Sequence, residues 1–461
     1  MTSPTLITAE NLALLTDQYE LTMVQAYLRE NMRDEATFDL HVRELPENRN
    51  YLIAAGLRDA LELIETLRFT DDALDYLRTL GPFTDRLLNY LADFRFTGDV
   101  RAMPEGTPVF GHETIMEVTA PLPEAQLVET IALNQINVQT ALSSKASRIV
   151  HAAREKRVVD FGLRRVQGLD AGIKSARAFH ISGVHATSNV LAGREYNVPV
   201  TGTMAHSYVQ AHEDEYAAFR AFAEEFGETI LLIDTYDTIE GAHKVCALAR
   251  EMGDEFKVSG VRLDSGDLDD LSRKVRSILD EAGLDRMRIF ASGGLDEEAI
   301  DALVRAGAPI DGFGVGTAMG VSEDSPALDS AYKLASYKGE PRVKLSKNKQ
   351  TLPGKKQVFR VKDRDGVAHH DVIAELGEPL EGEPLLETVM ENGRTLPAGR
   401  TDLDTARDRS ARMVAELPER LRALSTAQPA YEVGISERMQ RTLDRVRADL
   451  SADQEKIAST S

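Results

Sequence analysis

Between about residue 155 and residue 320 one pattern of positions recurs: a short β-branched run, a break into Gly, Ser, Asp or Thr, then apolar positions at helical spacing. The runs are RVVDFG (157–162), FHISGV (179–184), VPVTGT (198–203), TILLIDTYD (229–237), VSGVRLDSGD (258–267), RIFASGG (288–294) and DGFGVGT (311–317). Parallel strands need long crossovers, so these runs predict a parallel sheet with intervening helices. An open doubly wound sheet accommodates the pattern. A β/α barrel fits it better, because a barrel turns the C-terminal end of every strand toward one mouth, and these runs end in reactive residue types. On that reading Asp160, Ser188, His206, Asp237, Asp264, Ser292 and Gly316 converge.

The flanks read differently. Residues 1–150 mix helical patterns (LELIETLRF, DRLLNYLADF) with strand-like segments (ATFDLHVREL, TPVFGHETIMEVTAP), which predicts an α/β domain. The barrel is expected over 151–340. Residues 341–461 are expected to hold a basic loop and charged helices packed on the N-terminal domain. The basic stretch carries Lys344, Lys347, Lys349, Lys355, Lys356 and Arg360, and it reads as a solvated hairpin before a ligand-facing loop.

Charge narrows the partners. With 75 acidic against 54 basic residues the net charge is −21, which disfavours non-specific binding to nucleic acid or anionic membrane. A phosphate-bearing ligand therefore needs a local basic or amide-lined pocket. The single cysteine, Cys246, excludes an internal disulfide, and its helical context AHKVCALAR predicts a buried thiol. No run approaches a membrane span, and the N-terminus has acidic breaks where a signal peptide needs an apolar core, so a cytoplasmic protein is expected.

The strongest phosphate signal is the pair ASGGLDEE and GFGVGTAMG, where small residues at two late strand ends let backbone amides approach an anion. In LLIDTYD and VRLDSGDL, Asp234, Asp237, Asp264 and Asp267 offer carboxylates for Mg²⁺ or ribose hydroxyls; as helix N-caps they are equally at home, and Asp267 reads only as a cap. Phe161 with Arg164 and Arg165 suits a planar anion that stacks on a ring and pairs with a guanidinium. GLDAGIKS (168–175) fails as a Walker loop, because three residues separate its glycines and Ile173 follows the second. His206 and His212 are spaced six apart and no HExxH occurs, so the histidines do not form a metal site.

Taken together, LLTDQYELTM (14–23), FGLRRVQG (161–168), TSNVLAG (187–193), GTMAHSYV (202–209), GVRLDSGDL (260–268) and KQTLPGKKQVFR (349–360) resemble the nicotinate phosphoribosyltransferase family, in order, from about residue 12 to 365. The resemblance implies a type II phosphoribosyltransferase fold: an irregular seven-stranded β/α barrel packed with an α/β N-terminal domain, plus a C-terminal helical segment. It implies nicotinate, phosphoribosyl pyrophosphate and ATP as substrates, Mg²⁺ as cofactor with no organic prosthetic group, and a homodimer with shared active sites.

Carried onto this sequence, the resemblance makes Tyr19 a ring reaching across the dimer to the pyridine opposite Phe161, with Arg164 on the nicotinate carboxylate. Asp17, Thr187, Ser188 and Ser207 fall among the substrate-binding positions. Nicotinamide-using relatives place an aspartate at the position of Ser188, so serine here favours the acid over the amide. Arg262 and Asp264 resemble the pair that engages the phosphoribosyl group and its Mg²⁺, with Asp237 a further metal candidate. Ser292, Gly293, Gly294, Gly314, Gly316 and Thr317 would cradle the 5′-phosphate, and His206 would be the residue phosphorylated by ATP. Three other readings compete: quinolinate phosphoribosyltransferase, a sugar-phosphate aldolase or isomerase, and a non-catalytic metabolite-binding barrel. The first needs a more basic pocket; the second needs a Schiff-base lysine or an acid/base pair, and none of the seven runs ends in Lys.

Overall fold

The computed structural model describes residues 7–345 and 351–460, with the side chains of the final helix described as far as residue 452. Lys347 and Lys349 of the basic stretch lie outside the described residues. The chain divides into two compact units, residues 142–326 and residues 1–141 with 327–461.

The first of these is the barrel. Its six strands run parallel in the order Ala186–Thr187, Arg157–Asp160, Gly312–Val315, Arg288–Ala291, Gly260–Leu263, Ile230–Leu232. The last strand in sequence lies beside the first, the closure expected of a barrel. The run VPVTGT contributes a single bridge, Val200 to Thr187, rather than a full strand, so the barrel is irregular at that side.

One expected strand is not a strand. Phe179, His180 and Ile181 of FHISGV end the helix Leu169–Ile181, all of them buried, and the second strand forms later at Ala186–Thr187. The short apolar run belongs to the buried face of that helix, an ambiguity periodicity alone does not resolve.

The other unit is built on a seven-stranded antiparallel sheet in which Ser330–Tyr337 and Thr114–Pro121 flank Glu35–Val42. Residues 330–340 had been expected to belong to the barrel. Their pairing along Glu35–Val42 and the stack of Tyr332 on Phe38, ring centroids 4.9 Å apart, assign them here instead. The tail carries the expected charged helices, Leu403–Ala415 and Glu437–Thr460, and the rest of the segment after residue 341 is strand-rich. It adds the strands Lys356–Lys362, Ala368–Glu375 and Glu432–Ile435 before the helix Glu437–Thr460. Lys356 is fully buried as the ion-pair partner of Asp39, so the solvated-hairpin expectation fails for this residue. Among the described residues no helix is long and apolar enough to cross a membrane.

Candidate active site

Strand ends build the mouth of the barrel. Gly260–Leu263 delivers Asp264, Ile230–Leu232 leads to Asp234 and Thr235, and Arg288–Ala291 delivers Ser292. These are interlocked by hydrogen bonds between neighbouring strand ends: the Asp264 amide donates to Asp234 Oδ2 at 2.9 Å, Ser265 Oγ donates to the same oxygen at 2.6 Å, and Ser292 Oγ donates to Asp264 Oδ1 at 2.5 Å. Asp264 Oδ2 is left facing His206 Nε2 at 3.9 Å. The opposite ring nitrogen, Nδ1, lies 3.2 Å from Thr235 Oγ1. His206 opens the short helix His206–Gln210, with Ser207 exposed behind it.

The second cluster is aromatic and basic. Gly314 carries no side chain because the Phe161 ring occupies the space: a Cβ there would lie 2.4 Å from the ring. The Arg262 guanidinium sits over that ring, 5.6 Å from its centroid, and donates to the Met204 carbonyl at 2.9 Å. Its Nε is buried without a partner. Burial holds Arg262 below the usual arginine range; Asp264 and Asp234 oppose that shift, and the charge of Arg164 adds to it. Arg164 itself is exposed, in the one-turn helix Leu163–Arg165.

Asp160 anchors this loop from inside. It is buried, accepts from the Gly162 amide and from Thr187 Oγ1, each at 2.7 Å, and burial raises its pKa. The Thr187 hydroxyl, expected at the substrate, is thus spent on Asp160 and on the Asn189 amide. Ser188, half-buried, follows it with its amide on the Asp160 carbonyl.

Three other expected residues take different places. Asp237 Oδ1 accepts from the amides of Ile239 and Glu240, each at 2.9 Å, capping the helix Thr238–Met252; Asp234 stands against Asp264 in its stead. Ser292 is buried with its amide on the Leu263 carbonyl and its hydroxyl on Asp264, so it braces Asp264 and has no donor left for a phosphate. Gly314 is buried inside its strand and makes room for Phe161. Gly293 and Gly294 remain in the loop beyond, with φ of +89° and +65°; a Cβ on Gly293 would strike the Asp264 carbonyl oxygen at 1.8 Å. Gly316 precedes the turn Thr317–Gly320, and Thr317 is exposed.

Asp17 and Tyr19 belong to the other unit, at the start of the helix Gln18–Arg29. Tyr19 is 46% exposed, and burial of its hydroxyl beside Glu129 raises its pKa. Cys246 is buried, as expected, and burial pushes its thiol upward.

Comparison with known proteins turns this geometry into a family assignment. Residues 14–137 match the model of the nicotinate phosphoribosyltransferase N-terminal domain, and residues 156–367 match the model of the nicotinate phosphoribosyltransferase family.

The chain belongs to the nicotinate phosphoribosyltransferase family.

A nicotinate phosphoribosyltransferase of Mycobacterium tuberculosis is 51% identical over 435 residues, covering 94% of each chain. That of Bacillus subtilis is 42% identical over 388 residues, 82% of this chain and 79% of its own. The crystal structure of human nicotinic acid phosphoribosyltransferase superposes with a TM-score of 0.83 at 28% identity, covering 93% of this chain and 99% of that one. The motifs quoted from the sequence thus fall inside family members, and the barrel is that of a type II phosphoribosyltransferase. One residue of the mouth, Thr235, escaped the sequence reading, and Asp234, named there as a carboxylate, was not paired with Asp264. Both lie in LLIDTYD, and their contacts with His206 and Asp264 form only once the strand ends are adjacent.

Proposed function

We propose that this chain joins nicotinate to phosphoribosyl pyrophosphate, giving nicotinate mononucleotide and pyrophosphate for NAD salvage, with ATP hydrolysis coupled through phosphorylation of His206. The observation that carries the reading is the pairing of an aromatic platform, Phe161 under Arg262, with the His206–Asp264–Asp234 cluster at the same barrel mouth.

In this mechanism the pyridine ring lies on Phe161 and Arg164 pairs with its carboxylate. The ring nitrogen already carries its lone pair, so no general base is required. The protein's task is to hold acceptor and donor in line while positive charge develops on the ribose. Ser188 presents no negative charge to the nicotinate carboxylate. The loop amides of Gly293, Gly294, Gly316 and Thr317 hold the 5′-phosphate.

The mouth also fits Mg²⁺. Asp234 Oδ1 is buried without a partner and Asp264 Oδ2 is unengaged by any closer donor, which offers a hard cation two carboxylate oxygens, with water and phosphates to supply the rest. When bound, the metal neutralises charge on the departing pyrophosphate. The exposed Tyr19 supports a homodimer in which that ring completes the partner's pyridine site.

The test is mononucleotide formation from nicotinate or nicotinamide, with and without ATP, in wild type, His206→Ala and Ser188→Asp. Nicotinate turnover stimulated by ATP only when His206 is present is the expected result, with Ser188→Asp shifting preference toward nicotinamide by roughly 10- to 100-fold. Nicotinamide as the preferred wild-type substrate overturns the reading.

A further inference from the structure

The strands Arg288–Ala291 and Gly312–Val315 pair at Phe290 with Gly312 and at Ala291 with Phe313, and there their ladder ends. The two loops proposed to hold the 5′-phosphate lie past that point, Gly293–Gly294 after the first strand and Gly316–Thr317 after the second. An anion shared between them needs amides from both at hydrogen-bonding distance. The ladder itself does not set that spacing.

Each loop runs into a rigid segment. Asp296 caps the helix Glu297–Arg305, its Oδ1 accepting from the Ala299 amide at 2.8 Å, which fixes Glu297 just past Gly294. From Gly316 onward a chain of turns follows: the Gly320 amide donates to the Gly316 carbonyl at 2.9 Å, that of Val321 to Thr317 at 3.0 Å and that of Glu323 to Ala318 at 3.1 Å, leading to Asp324. One side chain joins the two segments. Lys145, buried on the long helix Glu129–Ala153, places its ammonium 2.6 Å from Glu297 Oε2 and 3.0 Å from Asp324 Oδ1. Arg148, one turn on, pairs with the other Glu297 oxygen at 2.8 Å. Burial works against the Glu297 charge, but Lys145 and Arg148 outweigh it and hold the carboxyl below its usual range.

We infer that Lys145 is a positioning residue for the phosphoribosyl donor: by bridging Glu297 and Asp324 it sets the spacing of the two amide loops that hold the 5′-phosphate. Charges paired out of water add little net stability, so what the bridge supplies is the distance it fixes. Lys145 itself touches no substrate and acts through the loops. The inference rests on the 5′-phosphate site of the proposed function and deepens it.

Ribose 5-phosphate is the probe, because it carries the 5′-phosphate and neither the pyrophosphate nor the pyridine. Calorimetric titration of the full chain should show its affinity lowered roughly fivefold or more in Lys145→Met and in Asp324→Asn, the worth of one lost hydrogen bond. The double variant should bind no more weakly than Lys145→Met, since both changes break one bridge. In steady state the KM for phosphoribosyl pyrophosphate should rise while that for nicotinate stays unchanged, a split that general loosening of the fold does not produce. Affinity indifferent to both substitutions, or no binding by wild type, overturns the inference. Thermal melting identifies a Lys145→Met chain that fails to fold; Asp324 lies at the surface, and Asp324→Asn then carries the same comparison. Lys145-dependent binding of ribose 5-phosphate in a chain that forms no mononucleotide would count against the proposed reaction and support the inference.

Discussion

His206 and Thr235 are joined across two strand connections: the imidazole Nδ1 lies 3.2 Å from the threonine hydroxyl, 29 residues away in sequence, while Nε2 faces Asp264 Oδ2 across 3.9 Å. With Nδ1 held by the hydroxyl, Nε2 is the nitrogen free to act toward the mouth. Thr235→Val removes that bond with little change of shape, and Thr235→Ser keeps it. The expected outcome is a loss of roughly tenfold in the ATP-stimulated part of turnover for valine, of the order of one hydrogen bond, and rescue by serine. Phosphorus NMR of the ATP-treated protein should show the Nε2 phosphoimidazole in wild type and a mixture of isomers in Thr235→Val. The same isomer at the same rate in both would show that Thr235 does not position the ring.

Gly314→Ala tests the aromatic platform. Its methyl group would lie 2.4 and 2.6 Å from two Phe161 ring atoms, so the ring must move. Overpacking of this kind costs about 1–3 kcal/mol, and steady-state kinetics should show KM for nicotinate raised roughly tenfold or more. An unchanged KM would mean that Phe161 does not contact the acceptor.

Lys356 is expected to act on folding rather than on substrate. It is buried with its ammonium on Asp39 Oδ2, its amide donates to Glu117 Oε2 at 2.8 Å, and Asp39 Oδ1 is buried without a hydrogen-bond partner. Burial pushes Asp39 up to about 7, with Lys356 opposing that shift. Lys356→Met leaves the carboxylate unpaired and should cost about 3–5 kcal/mol by denaturant titration at pH 8, with the KM values of the folded fraction unchanged. A substrate-binding defect without loss of stability would return Lys356 to the list of phosphate ligands.

Glu20 links stability to pH. It is fully buried, and burial raises its pKa to about 7, against the opposing hydrogen bonds from Thr130 and Thr16. A carboxyl with a raised folded pKa contributes stability that is complete below its unfolded value near 4.5 and is lost as pH rises through about 7. Glu20→Gln should therefore flatten the stability profile between pH 4.5 and 7, by on the order of 2–3 kcal/mol across that window. A wild-type profile without this slope, or one that Glu20→Gln leaves in place, would place the Glu20 pKa near its ordinary value.

The sequence by itself determined the class of fold and the composition of the mouth. Recurring apolar runs that end in Gly, Ser and Asp specify parallel strands, and the chemistry collects at their ends because strand direction is shared. Asp264, His206 and Phe161 were legible for that reason, and Arg262 through the family resemblance. Their partners were not. Asp234 rather than Asp237 meets Asp264, Ser292 braces Asp264 instead of opening to a phosphate, and Gly314 serves Phe161. These are contacts between adjacent strands whose residues lie far apart in the chain, and no local pattern encodes which of two nearby carboxylates turns inward. The same holds for burial: FHISGV became the end of a helix and Lys356 an interior ion pair because packing in three dimensions, not local composition, decides which residues leave water.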